Sequence, residues 1–271
     1  MKKSKRKSVE TVGKTLLHNK LNFAATEAYK LLRTNVIFTM PDNGKCHVVG
    51  VTSSIRGEGK STTATNLSYA LAETGKKVLL VDADLRLPSI AKKLEIASKP
   101  GLSNLVAGMA GDEAIVKWES LENWHILPSG DIPPNPTEML GSSQMAKIIE
   151  KYSEVYDFII IDLPPVNIVS DALIVSPLVD GMIVVVREDY SERRALMQCT
   201  KLLEMSNAKV LGFVMNVSRE DSVGYSKYKR YKYYKYYSRY YKHGYYGHYG
   251  YGYGYGRSSH HKSRKDGETG K

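Results

Sequence analysis

Short runs of β-branched and other apolar residues recur between positions 47 and 216, and stretches with helical spacing separate several of them. The runs predict six strands, at 47–52, 77–82, 125–127, 157–162, 181–186 and 209–216. Several of them, such as VLLVD, FIIID and MIVVV, are apolar without alternation, which is typical of strands covered on both faces. Helical spacing predicts helices over 22–38, 61–74, 142–152 and 191–205. This alternation predicts an α/β fold with a doubly wound, mostly parallel sheet and right-handed crossovers.

The pattern divides the chain into three parts. Residues 1–21 are polar and basic, and we expect them to form a mobile arm, whereas residues 22–218 carry the strand and helix pattern of a globular domain. From residue 219 the periodicity stops and Tyr-Lys and Tyr-Gly repeats replace it, with no aliphatic residue after Val223. Because such a composition cannot bury a core, we predict that 219–271 is disordered on its own.

Charge and tyrosine are concentrated towards the ends of the 271-residue chain. The net charge is +11, of which residues 1–8 contribute +5 and residues 219–271 contribute +9, so the body is slightly acidic. Fifteen of the 20 tyrosines lie in 225–255. Two cysteines cannot make a disulfide framework and fit a reducing cytosol. No apolar run approaches the ~20 residues of a membrane span, and the basic start lacks a signal-peptide core. We therefore expect a cytoplasmic protein and exclude secreted, membrane-spanning and fibrous classes.

The turn after the first predicted strand, residues 52–62, reads TSSIRGEGKST and leads directly into a helix pattern. A loop that binds nucleotide phosphates needs glycines that let backbone N–H groups approach, a helix N-terminus, a lysine and a hydroxyl for Mg²⁺. Lys60 and Ser61 supply the last two, and the predicted phosphate-binding residues are Gly57, Glu58, Gly59, Lys60, Ser61 and Thr62. The strict pattern has glycine where the small residue Ser54 stands. A glycine-rich turn with an exposed lysine is the alternative, and the order of strand, loop and helix argues against it.

Three aspartates follow predicted strands: Asp82 and Asp84 end the second strand, and Asp162 ends the run FIIID. Ligands of open parallel sheets bind beyond the carboxyl ends of the strands, so these carboxylates and the phosphate loop should share one cleft. Mg²⁺ takes few carboxylates together with a serine hydroxyl, phosphates and water, and the predicted ligands are Ser61, Asp84 and Asp162. One of Asp82 and Asp84 is expected to bind the metal and the other to act as base for an incoming hydroxyl, and the sequence leaves open which does which. The alternative is that both only cap the following turn.

Together these motifs resemble those of the bacterial tyrosine kinases that regulate capsular and exopolysaccharide synthesis. The resemblance covers roughly residues 22–255 and includes the phosphate loop, the motif Asp82-x-Asp84-x-Arg86, the sequence IDLPP at 161–165, the stretches LPSG at 127–130 and PPNPTEML at 133–140, and the tyrosine-rich tail. It implies a P-loop NTPase-like fold and an ATP- and Mg²⁺-dependent, non-specific protein-tyrosine kinase in which Lys60, Asp82, Asp84 and Asp162 are catalytic. Asn216 lies where related ATPases contact adenine, and it is the further cofactor-binding residue that we predict.

The resemblance also implies that the tail is autophosphorylated, and the candidate residues are Tyr225, Tyr228, Tyr231, Tyr233, Tyr234, Tyr236, Tyr237, Tyr240, Tyr241, Tyr245, Tyr246, Tyr249, Tyr251, Tyr253 and Tyr255. The chain is similar to the split layout of Gram-positive bacteria, in which a membrane adaptor of the polysaccharide co-polymerase type recruits a cytoplasmic kinase to the inner face of the membrane. It implies a cognate tyrosine phosphatase and a homo-oligomeric ring assembled through the 22–38 helix. The family pattern E-x-x-R-x-x-R here has Glu27, Lys30 and Arg33, and lysine loses the bidentate fork of arginine.

Two other classes fit parts of the sequence. Partitioning and septum-positioning ATPases share the Asp-x-Asp motif, but they carry a lysine five residues before the phosphate-loop lysine, where this chain has Ile55. A nucleic-acid-binding protein could use the basic, aromatic tail to stack on single strands. The slightly acidic body with its complete nucleotide motifs argues against nucleic acid as a partner.

Overall fold

The computed structural model describes residues 16–17, 21–40 and 43–217, all within the compact unit Met1–Ser218. The fifteen candidate tail tyrosines and most of the predicted basic arm lie outside the described residues. Within the described part of the chain, no helix is both long enough and apolar enough to cross a membrane.

One seven-stranded sheet forms the centre of the described unit. Its strands, in chain order, are β1 His47–Ser53, β2 Val78–Asp82, β3 Val116–Lys117, β4 Trp124–Leu127, β5 Phe158–Asp162, β6 Gly181–Arg187 and β7 Val210–Asn216. Across the sheet the order is β3-β4-β2-β5-β1-β6-β7, and every neighbouring pair is parallel except β3 with β4. After β1 the chain crosses the position of β5 and forms β2 on one side of the sheet. After β5 it crosses β1 and forms β6 on the other side. The carboxyl ends of β1, β2 and β5 therefore lie side by side where the winding direction changes, which is the place for a ligand crevice.

Helices cover both faces of this sheet. They are α1 Phe23–Thr39, α2 Lys60–Ala72, α3 Ile90–Leu94, α4 Leu102–Val106, α5 Pro136–Leu140, α6 Ser143–Ser153, α7 Asp171–Val175 and α8 Arg193–Met205, with 3₁₀ turns at Asp112–Ala114 and Ser176–Leu178. Side chains of α1 and α2 pack on one face and those of α6 and α8 on the other, which gives two apolar clusters. The strands buried between them are continuous apolar runs because neither face meets water.

The structure confirms the predicted fold class, the six predicted strands to within one residue at each end and the four predicted helices to within two. The sequence pattern missed the two-residue strand β3 and the five-residue helices α3, α4, α5 and α7. These elements are too short to show a period, and tertiary contacts rather than intrinsic propensity stabilise them.

Candidate active site

The phosphate loop connects β1 to α2 and ends at the helix N-terminus. Gly57 and Gly59 both have left-handed backbone angles, with φ of +82° and +98°, a region that glycine enters without steric cost. Helix α2 begins at Lys60, and the N–H of Thr63 donates the first helical hydrogen bond to the carbonyl of Gly59. The backbone N–H groups before Thr63 have no carbonyl partner within the helix, so they are available to bind an anion.

Asn216, at the end of β7, packs against this loop. Its side-chain Nδ2 donates to the carbonyl of Glu58 at 2.9 Å, and a Cβ placed on Gly59 would lie only 1.9 Å from the same nitrogen. The glycine is therefore required both by its φ angle and by the close approach of Asn216. The adenine contact that we predict for Asn216 stays a prediction, and the structure gives this side chain a second task in supporting the loop.

The carboxylate of Glu58 is fully buried inside the loop. It accepts hydrogen bonds from the Ser54 hydroxyl at 3.0 Å, from the Ile55 N–H at 2.9 Å and from the hydroxyl of Ser191, which precedes α8. This network explains why serine replaces glycine at position 54, since its hydroxyl holds the Glu58 carboxylate. Glu58 thus contributes its side chain to the shape of the loop, a role that the motif alone does not reveal.

Lys60 reaches across the crevice to two of the predicted aspartates. Its ammonium lies 2.8 Å from Oδ2 of Asp84 and 3.4 Å from Oδ1 of Asp162, and it donates to the Ser61 hydroxyl at 3.3 Å. Burial alone would lower the pKa of Lys60, but the charges of Asp162 and Asp84 outweigh burial and raise it. The lysine is a permanent cation at neutral pH and is held ready for anionic oxygens.

Asp82 and Asp162 lie on adjacent strands in register and are both fully buried. Burial, reinforced by the charge of Asp162, raises the pKa of Asp82 to about 7. Burial also raises the pKa of Asp162, and the nearby Lys60 cation opposes that rise. Oδ2 of Asp82 accepts from the N–H groups of Ser89 and Ile90 at 3.2 and 3.0 Å. Two carboxylates in such proximity resist simultaneous ionisation unless a cation joins them.

The donor set fits Mg²⁺. Oδ1 of Asp82 and Oδ2 of Asp162 are buried, and neither has a hydrogen-bond partner among the described residues. The Ser61 hydroxyl adds a neutral oxygen at the start of α2. The described residues contain no cluster of three or more His, Cys, Asp or Glu arranged to enclose a metal ion. Mg²⁺ does not need such a cage, because it keeps several waters and binds nucleotide phosphates as well as one or two carboxylates.

A cavity of about 380 Å³ opens beside the phosphate loop and Asp84. The loop residues Gly57, Gly59, Lys60, Ser61 and Thr62 line it together with Asp84. Neither Asp82 nor Asp162 lines the cavity. Both are fully buried, and the turn that leads to α3 encloses the Asp82 side chain. The structure therefore separates the two aspartates that the sequence left equivalent: Asp84 faces the open volume and Asp82 does not.

A second ion pair that sequence reasoning did not identify supports the wall of this cavity. The Arg86 guanidinium donates through Nε to Asp171 at 2.8 Å and through Nη2 to the Thr137 hydroxyl at 2.7 Å. Asp171 is fully buried at the start of α7. Asp171 raises the pKa of Arg86 by accepting its hydrogen bonds. The motif Asp-x-Asp-x-Arg pointed to Arg86, but nothing local in the sequence pointed to its partners.

Comparison with known proteins places this site in a family. Residues 47–210 match the AAA domain family. Tyrosine-protein kinase YwqD of Bacillus subtilis is 36% identical over 203 residues, which cover 74% of this chain and 85% of the relative. The crystal structure of the chimerical protein CapA2B2 superposes with a TM-score of 0.70 at 33% identity, over 74% of this chain and 88% of that one.

The septum site-determining protein MinD of Pyrococcus horikoshii, complexed with Mg-ADP, has a TM-score of 0.54 at 29% identity, over 63% of this chain and 70% of that one. It shares the fold with a lower structural similarity than CapA2B2. The sequence identity and the coverage of YwqD, together with the higher TM-score of CapA2B2, decide between the two groups. The chain belongs to the family of bacterial tyrosine-protein kinases.

Proposed function

We propose that this kinase transfers the γ-phosphoryl group of ATP to tyrosine hydroxyls, including those of its own residues 225–255, and that it thereby regulates capsular or exopolysaccharide synthesis. The observation that carries the proposal is the approach of Lys60 to Asp84 and Asp162 at a phosphate loop that opens into one cavity. The kinase names of the relatives support the same reaction.

In the proposed reaction the phosphate loop and Lys60 hold the nucleotide phosphates. The Lys60 ammonium, paired with Asp84 and Asp162, exchanges one carboxylate for phosphate oxygens and stabilises the charge that develops on the γ-group. Ser61 and Asp162, with Oδ1 of Asp82 in place of the Asp84 that we predicted as a ligand, would hold Mg²⁺, which when bound neutralises charge on the phosphates. Glu58 and Asn216 keep the loop in the conformation that these contacts need.

Asp84 is the proposed acceptor of the tyrosine proton, because it faces the cavity and Asp82 does not. Geometry takes precedence over pKa in choosing a base. As the tyrosine oxygen forms its bond to the γ-phosphorus, the bond from that phosphorus to the β,γ-bridging oxygen breaks. ADP leaves with the electron pair of that bond, and the phenolic proton passes to Asp84.

Phosphorylation would change the net charge of the tail. Residues 219–271 carry +9, and each phosphate adds about −1.5 to −2 at neutral pH, so about five phosphates cancel the charge. The tail would change stepwise from cationic to anionic. We propose that the number of phosphates controls how far the protein assembles with acidic partners or with its own copies. Equal oligomer sizes for phosphorylated and unphosphorylated protein would contradict this step.

The proposed partners are a membrane adaptor of the polysaccharide co-polymerase type, a cognate tyrosine phosphatase and further copies of this chain. The adaptor would hold the kinase at the inner face of the membrane. Helix α1 supports self-assembly because its Phe23 and Phe38 side chains are 77% and 67% exposed. Within α1, Lys30 pairs with Glu27 at 2.8 Å, and Arg33 donates to the Ala70 carbonyl at 2.9 Å. Both cations therefore already have intrachain partners, and the exposed phenylalanines remain as the contact surface.

The proposal is tested by mapping phosphotyrosine by mass spectrometry on the protein from its native host. The natural chain is compared with Lys60→Ala and with Lys147→Ala, which removes an exposed lysine of α6. We expect phosphate on residues 225–255 in the natural chain and in Lys147→Ala but not in Lys60→Ala. Equal phosphate in all three would show that another kinase modifies the tail, and its absence from all three would refute self-phosphorylation.

A further inference from the structure

Two large apolar side chains are exposed beside the charged centre of the cavity. Leu87 and Ile168 are 55% and 48% exposed, and both line the cavity that contains Lys60 and Asp84. The partly buried Val169 lines it as well. Nucleotide phosphates have no use for apolar surface, so the function of the phosphate loop does not account for these three residues.

Backbone hydrogen bonds hold this apolar surface close to Asp84. The N–H of Leu87 donates to Oδ1 of Asp84 at 3.1 Å, so Leu87 is tied to the carboxylate proposed as base. On the other side, Val166 donates its N–H to the carbonyl of Ser53 at 2.9 Å, and Ile168 donates to the carbonyl of Pro165 at 3.1 Å. These bonds hold the turn after β5 against the end of β1, so the apolar side chains from two separate turns share a cavity with Asp84.

An apolar surface next to a carboxylate base suits a ligand with an apolar body and a hydroxyl at its tip. A phenol side chain has this form, whereas serine and threonine carry their hydroxyl too close to the backbone to use such a surface. We propose that Leu87, Ile168 and Val169 form the subsite for the ring of the acceptor tyrosine, with its hydroxyl directed at Asp84. This inference rests on the proposed function and adds the residues that select tyrosine.

The test uses the full chain and a matched control. One variant combines Leu87→Ser with Ile168→Ser; the control combines Met109→Ser with Ile132→Ser, two side chains that are 79% and 68% exposed and do not line the cavity. Binding of a fluorescein-labelled peptide of residues 223–230 is measured by anisotropy with Mg²⁺ and a non-hydrolysable ATP analogue. The tail of each protein also competes with the peptide, and it competes less in the variant with the weakened subsite, so the measured rise in Kd is a lower limit. We expect the peptide Kd to rise about tenfold in the cavity variant and to change less than about twofold in the control.

Two further peptides show which part of the ligand is recognised. Replacing both tyrosines of the peptide with phenylalanine should keep most of the affinity, since the ring makes the contact, and replacing both with alanine should abolish the difference between the two variants. Equal Kd values for the cavity variant and the control would overturn the subsite. So would undiminished binding of the alanine peptide, because recognition would then rest on its basic residues. Melting temperatures and affinity for the ATP analogue, measured alongside, identify a variant that has simply misfolded.

Phosphate transfer to a Lys60→Ala full chain, used as acceptor in trans, separates this inference from the proposed function. We expect the cavity variant to transfer phosphate with a raised KM for the acceptor and with a kcat closer to that of the natural chain. If the natural chain transfers no phosphate but the peptide affinities differ as expected, the proposed function fails and the subsite stands. If transfer occurs with the same KM in both variants, the subsite fails and the kinase function stands.

Discussion

The buried carboxyl of Asp82 should make the stability of the nucleotide-free protein depend on pH. Its pKa is raised from an ordinary 3.8 to about 7, because burial disfavours the anion and Asp162 adds a like charge. The folded protein therefore binds this proton more tightly than the unfolded chain does. The stabilisation is fully present below about pH 4 and is lost as the pH rises towards 7.

The size of the effect follows from the displacement of the pKa. One proton that is bound in the folded state and released in the unfolded state changes the free energy of unfolding by about 1.4 kcal/mol per pH unit. From pH 5 to pH 8 the carboxyl of Asp82 titrates across its folded pKa, so the loss is roughly 2–3 kcal/mol. Asp82→Asn removes the titration but keeps an oxygen that can accept from the N–H groups of Ser89 and Ile90.

Urea unfolding of the natural chain and of Asp82→Asn at pH 5, 6, 7 and 8, without nucleotide or Mg²⁺, measures this difference. We expect the free energy of unfolding of the natural chain to fall by roughly 2–3 kcal/mol more than that of the variant over this range. Glu119→Gln, which neutralises an exposed carboxylate, should follow the natural chain. Parallel curves for the natural chain and Asp82→Asn would refute the reasoning, because they would show that this carboxyl is already ionised at pH 5.

Three further substitutions test how the loop and the cavity wall are held. Gly59→Ala should weaken ATP affinity in equilibrium binding and destabilise the chain by about 1–3 kcal/mol, since the residue has φ +98°; unchanged affinity would contradict the required glycine. Ser191→Ala removes a donor to the buried carboxylate of Glu58 and should cost about 1–3 kcal/mol in urea unfolding; a change below ~0.5 kcal/mol would remove it from the network. Asp171→Ala should lower the free energy of unfolding by about 2 kcal/mol. This cost is smaller than that of breaking a fully buried ion pair, because the Arg86 side chain is 36% exposed. An unchanged melting temperature would contradict the view that Asp171 supports the cavity wall.

Strands and the phosphate loop were predictable because their signals are local. A continuous apolar run such as residues 158–161 is typical of a strand shielded on both faces, and glycines before Lys60 that lead into a helix pattern are typical of a tight turn. The aspartates at strand ends were expected to converge because parallel strands end at one edge of the sheet, and in the structure they do. Their separate environments were not predictable. Asp82 and Asp84 are two residues apart in sequence, and only the turn that encloses one of them makes them differ.

The sequence also could not predict contacts between distant positions, such as those of Glu58, Ser191 and Asp171. Ser191 follows Glu58 by 133 positions, and Asp171 follows Arg86 by 85. No period or motif links positions so far apart, and each pair meets only because the strand order brings separate loops to one edge. The proposed role of the exposed Leu87 and Ile168 was likewise not predictable from the sequence, since an apolar residue in a turn indicates no function until its neighbours are known.

By itself, then, the sequence determined the alternation of strands and helices, the phosphate loop and the set of carboxylates, because backbone geometry and side-chain periodicity act over a few residues. The tertiary structure alone decided which aspartate faces the cavity, which side chains hold the loop and the arginine, and where an apolar surface meets the charged centre. Those properties depend on burial and on contacts between distant segments, and both come into existence only when the sheet has assembled.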